Sequence, residues 1–381
     1  MSPVLYGQLA GFYFFYFAYI GAFAPYFSLY LDAIGYGAAA IGVLMAVPQG
    51  MRIVAPHLWG FLADRSARRV RVAFLAGLVG SICYLGVFLS TAWWWLFGCI
   101  ALWSFFWSAA LPLMEATTLD HLGKRAADYG RIRLWGSVGF IATVIGVGWL
   151  LDHSGIAMLL VIVGATMVGT LLTVWRVPEV HHDGPADDDQ PIGRALRRPE
   201  VVALISACLL MAVAHGPYYT FFSIHLVAHG YSKSAIGWMW AVGVIAEIGV
   251  FACLPWLYRI ISARALLMLS FAIAVLRFVL IGWVSYVPAV LFIAQLMHAA
   301  SFGTFHSVAL ASVHRLFRGR NQARGQAVYS SLSFGLGGTL GGLGSGVAWE
   351  WLGPSGTFGA AAACAALGLF VLWVWYPKQQ S

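Results

Sequence analysis

The second half of this chain repeats its first, and no other feature constrains its fold more. At an offset of 195 residues, Gly21–Arg52 falls on Gly216–Glu247, and twelve of those 32 positions are identical. The identities include Phe27/Phe222, Ser28/Ser223, Leu31/Leu226, Gly35/Gly230, Tyr36/Tyr231, Ile41/Ile236 and Gly42/Gly237. Each copy reads as the end of one apolar span, a short turn, and the start of the next. Two copies of one architecture are therefore expected. The register also sets Arg52 on the position of Glu247, so the copies present opposite charges at equivalent depth.

The solvent for these copies is lipid. Apolar types make up 61% of the 381 residues and charged types 9%, against roughly a quarter charged in a soluble domain. Stretches long enough to cross a bilayer core of about 30 Å recur along the chain. Twelve are read, near 5–31, 37–62, 71–90, 93–118, 130–151, 155–175, 200–227, 234–257, 263–284, 287–312, 325–350 and 356–376. Backbone polar groups in lipid must be satisfied within the segment or in a closed barrel. The short alternating segments of a barrel are missing, so an all-α membrane protein is expected. Ser333–Gly346 (SFGLGGTLGGLGSG) sets small residues four apart, which lets helix backbones approach closely. A phosphate-binding loop fits this segment poorly, because it lacks the Lys and Ser/Thr ending.

Of the 22 Lys and Arg, 17 fall on one side of the spans, Lys233 on the other, and Arg52, Arg131, Arg133 and Arg277 at span depth or a span edge. The positive-inside rule makes the rich side cytoplasmic and places both termini there. The net charge of +8 then needs no nucleic acid; it reports topology and contact with anionic lipids. No cleavable leader is read at the N-terminus. Polar residues 177–199 read as a linker, dividing the chain into bundles at 1–176 and 200–381. His181, His182 and Asp183 within it read as solvated rather than metal-binding, and the five cysteines read as packing residues. No metal or other cofactor is expected. A catalytic motif such as H-E-x-x-H or G-x-S-x-G in a sensible context is also missing, which argues against an enzyme.

Charges at span depth are costly and need partners or a wet cavity. Arg52, Glu115, Arg133 and Glu247 are read as functional. Arg131 is read as an edge residue, while Arg277 stays open between structure and function. His215, Gln295, His298 and His306 are polar companions, and the eight-residue spacing of His298 and His306 puts them on one helix face. Tyr19, Phe23, Tyr26, Tyr218, Tyr219 and Tyr329 could line the same space. Three internal Arg (52, 133, 277) against two Glu (115, 247) leave a surplus of one positive charge, which favours an anionic cargo.

Several motifs carry a family resemblance. Gly60-Phe-Leu-Ala-Asp64-Arg65-Ser-Ala-Arg68-Arg69 is similar to the loop signature G-x-L-a-D-r-x-g-r-r of the major facilitator superfamily. The resemblance implies that fold, with twelve transmembrane helices in two pseudo-symmetric six-helix bundles. It also implies a breakable cytoplasmic latch at Asp64, Arg65, Arg68 and Arg69, with Gly60 allowing helix contact. Pro112-Leu-Met-Glu115-Ala and Tyr129-Gly-Arg131-Ile-Arg133-Leu-Trp-Gly136 resemble the oligosaccharide:proton symporter branch, which implies that Glu115 and Arg133 contact substrate. That branch has its proton-carrying carboxylate three residues after the His matching His298; this chain has Ser301 there. A closer resemblance, over nearly the whole chain, is to the phenylpropionate permease family. It rests on Arg52, Tyr129-Gly-x-x-Arg133-Leu-Trp-Gly-Ser137, Ala214-His215-x-x-Tyr218-Tyr219, Gly230-Tyr-Ser-x-Ser-Ala235, Ala246-Glu247, His298 and His306.

The expectation that follows is a monomeric secondary transporter of the cell inner membrane. It takes up a small, aromatic carboxylate together with a proton by alternating access between the halves. Tyr26, Arg52, Glu115, Arg133, His215, Tyr219, Glu247 and His298 form the substrate site; Glu247, His298 and Glu115 handle the proton. Two rivals keep the fold: a sugar or nucleoside symporter, for which Trp103, Trp107 and Trp135 could stack on a ring, and an effluxer of hydrophobic compounds.

Overall fold

A computed structural model describes residues 2–180, 193–317 and 321–377. Part of the expected linker, including His181, His182 and Asp183, and Arg318 and Arg320 of the basic side lie outside the described residues. The first half holds α1 (Pro3–Ala33), α2 (Ala38–Ser66), α3 (Arg69–Leu85), α4 (Trp93–Trp107), α5 (Ala110–Leu122), α6 (Tyr129–Ser154) and α7 (Met158–Arg176). The second holds a short α8 (Gly193–Leu196), then α9 (Pro199–Ala228), α10 (Lys233–Ile260), α11 (Ala263–Val284), α12 (Pro288–Leu296), α13 (Phe305–Leu316), α14 (Asn321–Ser330) and α15 (Gly338–Trp375). Among the described residues there is no strand.

Among the described residues, ten helical stretches are long and apolar enough to cross a membrane. Two of them, Trp93–Ser154 and Arg324–Trp375, run to 62 and 52 residues, far beyond the ~20 that one crossing needs. Each breaks at a glycine with positive φ: Gly123 (+49°) after α5, and Gly353 (+69°) inside α15. Each is thus two crossings, which restores the expected twelve. The structure adds what the sequence reading lacked. The tenth and eleventh spans are interrupted by π-helical turns at Ala299–Thr304 and Ser331–Gly337. Such wide turns interrupt the regular side-chain register and recur at functional sites.

The helices group into two compact units: Met1–Tyr36, Gly50–Ala186 and Ser232–Trp238 form one, and Gly37–Gln49, Asp187–Tyr231 and Met239–Ser381 the other. Each sequence half thus lends a helix start to the opposite unit, and the loaned segments begin at repeat-equivalent residues, Gly37 and Ser232. A carboxylate receives each of them. In the first unit Asp152, near the end of α6, accepts bonds from the Lys233 and Ser234 backbone N–H groups, both at 2.9 Å. In the second, Glu350 accepts one from the Ala39 N–H at 2.9 Å. Both acids sit on the positive end of a helix dipole, where negative charge is favoured.

The repeat identities have local causes. Gly35 and Gly230 take φ of +94° and +82°, a region that suits a residue without Cβ, and end α1 and α9 in the same way. The following tyrosines donate backbone N–H bonds to Leu31 and Leu226, each 3.1 Å. Their hydroxyls donate to Thr91 and Ser285 carbonyls within their own units. Gly42 lies against Gly342 and Gly346 of α15, and Gly237 against the Val144 carbonyl of α6. Gly216 of α9 meets the Gly341 backbone so closely that a Cβ has no room. The small-residue run at 333–346 therefore serves helix contact, as its spacing implies.

Candidate functional site

In the first unit, polar side chains gather between α1, α5 and α6. Tyr129, at the start of α6, donates its hydroxyl hydrogen to Glu115 of α5 at 3.0 Å. Tyr13 donates to Thr118 at 3.3 Å, and its ring meets that of Tyr129 edge-on at 6.2 Å. One turn beyond Tyr129, the Arg133 guanidinium lies 3.8 Å above the Phe17 ring and 5.8 Å from that of Tyr13, a cation–π arrangement. Arg52 and Arg133 both act electrostatically on Glu115. The structure thus brings Arg52, Glu115 and Arg133 into one charged neighbourhood.

Tyr26 stands apart from that group. It is fully buried, and its hydroxyl donates to the Val144 carbonyl at 2.7 Å and lies 3.3 Å from the Lys233 carbonyl, tying α6 to the start of α10. Arg131 is exposed and faces Asp128 at 3.8 Å, an edge pair. Trp103 is buried in a ring cluster with Tyr19, Phe23, Phe27 and Tyr84. Trp135 is exposed and donates to Tyr6. Both positions fit packing roles.

Further along α5, at the turn from α2 to α3, Arg69 bridges Asp120 at 2.7 Å and Asp64 at 3.3 Å, while Arg65 and Arg68 are exposed. One expectation fails here: a Cβ at Gly60 would meet nothing within 4 Å. Gly60 borders a cleft of about 200 Å³ shared with Trp59, Asp64, Arg69 and Pro112. It is not a helix contact, because the chain leaves open space on that face. The sequence reading also missed Glu179, which accepts bonds from the Val70 and Arg71 N–H groups at 3.2 and 2.7 Å. It thereby caps α3, whose own N-cap residue supplies no side-chain bond.

The second unit holds a denser group. His298 Nε2 lies 2.9 Å from Glu247 Oε1. Two glycines allow that approach: a Cβ on Gly243 would sit 3.2 Å from the His298 ring, and one on Gly303 3.2 Å from Glu247 Cγ. Phe302, at the π turn, stacks between His298 (5.4 Å, 5°) and His306 (6.2 Å, 11°). His306 Nδ1 in turn lies 3.2 Å from the Tyr329 hydroxyl. The shared face expected for the two histidines is therefore a stacked column. Phe302, midway between them, was legible from spacing alone but was not singled out. Tyr219 is half-buried near Phe302 and Trp240. His215 Nδ1 donates to the Met211 carbonyl at 2.9 Å.

Behind this column lies Arg277, with no accessible surface. Its Nε donates to the Ala294 carbonyl at 3.0 Å, its Nη1 lies 3.5 Å from Ser301 Oγ, and its guanidinium carbon sits 4.2 Å from the Tyr218 ring centre. Tyr218 donates its hydroxyl hydrogen to Gln295 Oε1 at 2.9 Å. Arg277 Nη2, Gln295 Nε2, His215 Nε2 and His298 Nδ1 are buried and find no hydrogen-bond partner in the protein. Each such group costs about 1–3 kcal/mol, so four in one cluster mark a place held for something other than stability.

A chain of paired apolar crossings with charged groups held at mid-helix is a multi-pass membrane transporter of the major facilitator type. It belongs to the MFS_1 like family, whose profile matches residues 6–360. It is 30% identical over 368 residues to the probable 3-phenylpropionic acid transporter of Escherichia coli (strain K12), covering 94% of this chain and 95% of that one. It is 29% identical to a maltose permease of Geobacillus stearothermophilus, over 86% and 83% of the two chains. A crystal structure of the nucleoside transporter NupG, a D323A mutant, superposes with a TM-score of 0.86 at 19% identity, covering 98% of this chain and all of that one.

Proposed function

We propose that the protein is a proton-coupled symporter that takes up a small aromatic carboxylate by alternating access. The observation that carries this reading is the 2.9 Å contact between the largely buried side chains of His298 and Glu247. A carboxylate there is poised between a neutral, protonated form favoured by desolvation and an ionised form favoured by a cationic partner. Glu247 carries the proton in this reading and His298 relays it. Arg133, positioned by Glu115, receives the polar end of the substrate. The similarity to a probable 3-phenylpropionic acid transporter supports the cargo class. The basic side faces the cytoplasm of an inner-membrane protein, residues 177–199 link bundles at 1–176 and 200–381, and the monomer is the working unit.

The test is pH-gradient-driven uptake in vesicles. Glu247→Gln should still bind 3-phenylpropionate and exchange it across the membrane, yet lose accumulation against a gradient. Undiminished proton-driven accumulation by this variant takes Glu247 out of the role. A second reading, a sugar or nucleoside symporter, is favoured by the hydrogen-bonding group of Glu115, Tyr129 and Tyr13 and by the maltose and nucleoside transporters among the relatives. Competition among labelled phenylpropionate, maltose and uridine in the same vesicles separates the two.

A further inference from the structure

We propose that the buried cluster around Arg277 is the anchor for the carboxylate of the transported anion. The proposal rests on the reading of the cargo as a carboxylate, and it moves the anionic end from Arg133 to Arg277.

The argument is one of charge and unmet hydrogen bonds. A guanidinium keeps its proton under any ordinary condition, so a buried one needs a negative partner. Among the described residues no carboxylate lies within ion-pair distance of Arg277. Its contacts are a backbone carbonyl, the Ser301 hydroxyl and the face of Tyr218, all neutral. Two donors in this cluster, Arg277 Nη2 and Gln295 Nε2, have no acceptor in the protein. Tyr218 touches both residues, so the donors share one neighbourhood. Unsatisfied donors on and beside a guanidinium with no carboxylate at ion-pair distance fit a carboxylate, which accepts on two oxygens at once and pairs with a guanidinium edge.

Arg133 differs in burial and in hydrogen bonding. It is only half-buried, and none of its nitrogens is among the buried donors left without an acceptor. A matching surface lies beside the Arg277 cluster. Phe302 is part-buried and its ring lies 5.4 Å from that of His298 and 5.8 Å from that of His215. The apolar body of an aromatic acid can rest there while its carboxylate reaches the guanidinium.

Isothermal titration of the full-length protein in nanodiscs tests this with 3-phenylpropionate and its uncharged analogue 3-phenylpropionamide. Wild type should bind the acid at least tenfold tighter than the amide. Arg277→Gln should abolish that preference by weakening the acid alone, and Arg277→Lys should retain part of it. Ser301→Glu keeps the arginine and places an acid beside it. It should raise thermal stability while weakening 3-phenylpropionate at least tenfold. A merely structural Arg277 would give the stabilisation without the loss of binding, which would overturn the proposal. Equal acid affinity in wild type and Arg277→Gln also overturns it and leaves the carboxylate reading standing. If wild type binds acetate but not 3-phenylpropionate, and that binding needs Arg277, the proposal stands and the aromatic reading falls. If no carboxylate binds wild type, both fall.

Discussion

Ala67 is the one non-glycine residue with positive φ among the described residues, at +51°. It occupies the place of the lower-case glycine in the superfamily's loop signature, and the turn from α2 to α3 explains why a glycine suits it. An L-residue in the left-handed region loses about 1–2 kcal/mol, part of which a glycine returns through its greater freedom in the unfolded chain. Ala67→Gly should therefore stabilise the protein by up to about 1 kcal/mol, read as a small rise in the thermal midpoint in detergent; an unchanged or lower midpoint counts against strain at this turn. At this scale the sequence announced charges better than their partners. Glu115, Arg133, Glu247 and His298 stand out because ionisable groups in apolar spans are expensive. Tyr129 and Phe17 do not, since a tyrosine or phenylalanine in such a chain is common and only its position in space makes it a ligand to Glu115 or a platform for Arg133. Gly60 shows the reverse error, because a motif glycine suggested a contact where the chain leaves a cleft.

Helix existence and the spacing of small residues were legible because both follow from simple rules of length and period. A tight contact in the second unit, Gly216 on Gly341, joins α9 to α15. Gly216→Leu should overpack that contact and cost on the order of 1–3 kcal/mol or more, visible as a fall in thermal midpoint and in the yield of monodisperse protein. The equivalent change at Gly344, where a Cβ meets nothing within 4 Å, should be close to neutral. The π turns were not legible. Hydropathy reads an uninterrupted span through 299–304 and 331–337, whereas the extra residue per turn depends on what packs against the helix. Their consequence reaches the site, because the first of them holds Ser301 toward Arg277 and Phe302 toward the two histidines.

For the whole molecule, the basic bias makes an orientation test direct. With the five cysteines replaced, single cysteines placed at Arg125 and Arg259 should react with an impermeant maleimide only after the cytoplasmic face is opened, while one at Ser90 should react in intact cells. Labelling of the first two in intact cells would invert the topology. The twofold plan was legible in the repeat, but the loan of 37–49 and 232–238 was not, because identity between copies does not say which copy a segment will pack against. Asp152 and Glu350 give that exchange a consequence for assembly. A gene cut between the halves yields two fragments, each carrying an acid whose amide partners are encoded on the other. Neither fragment alone can finish its own unit, so each should be degraded when made singly. Co-production should restore both, and removing either carboxylate should weaken the reunion.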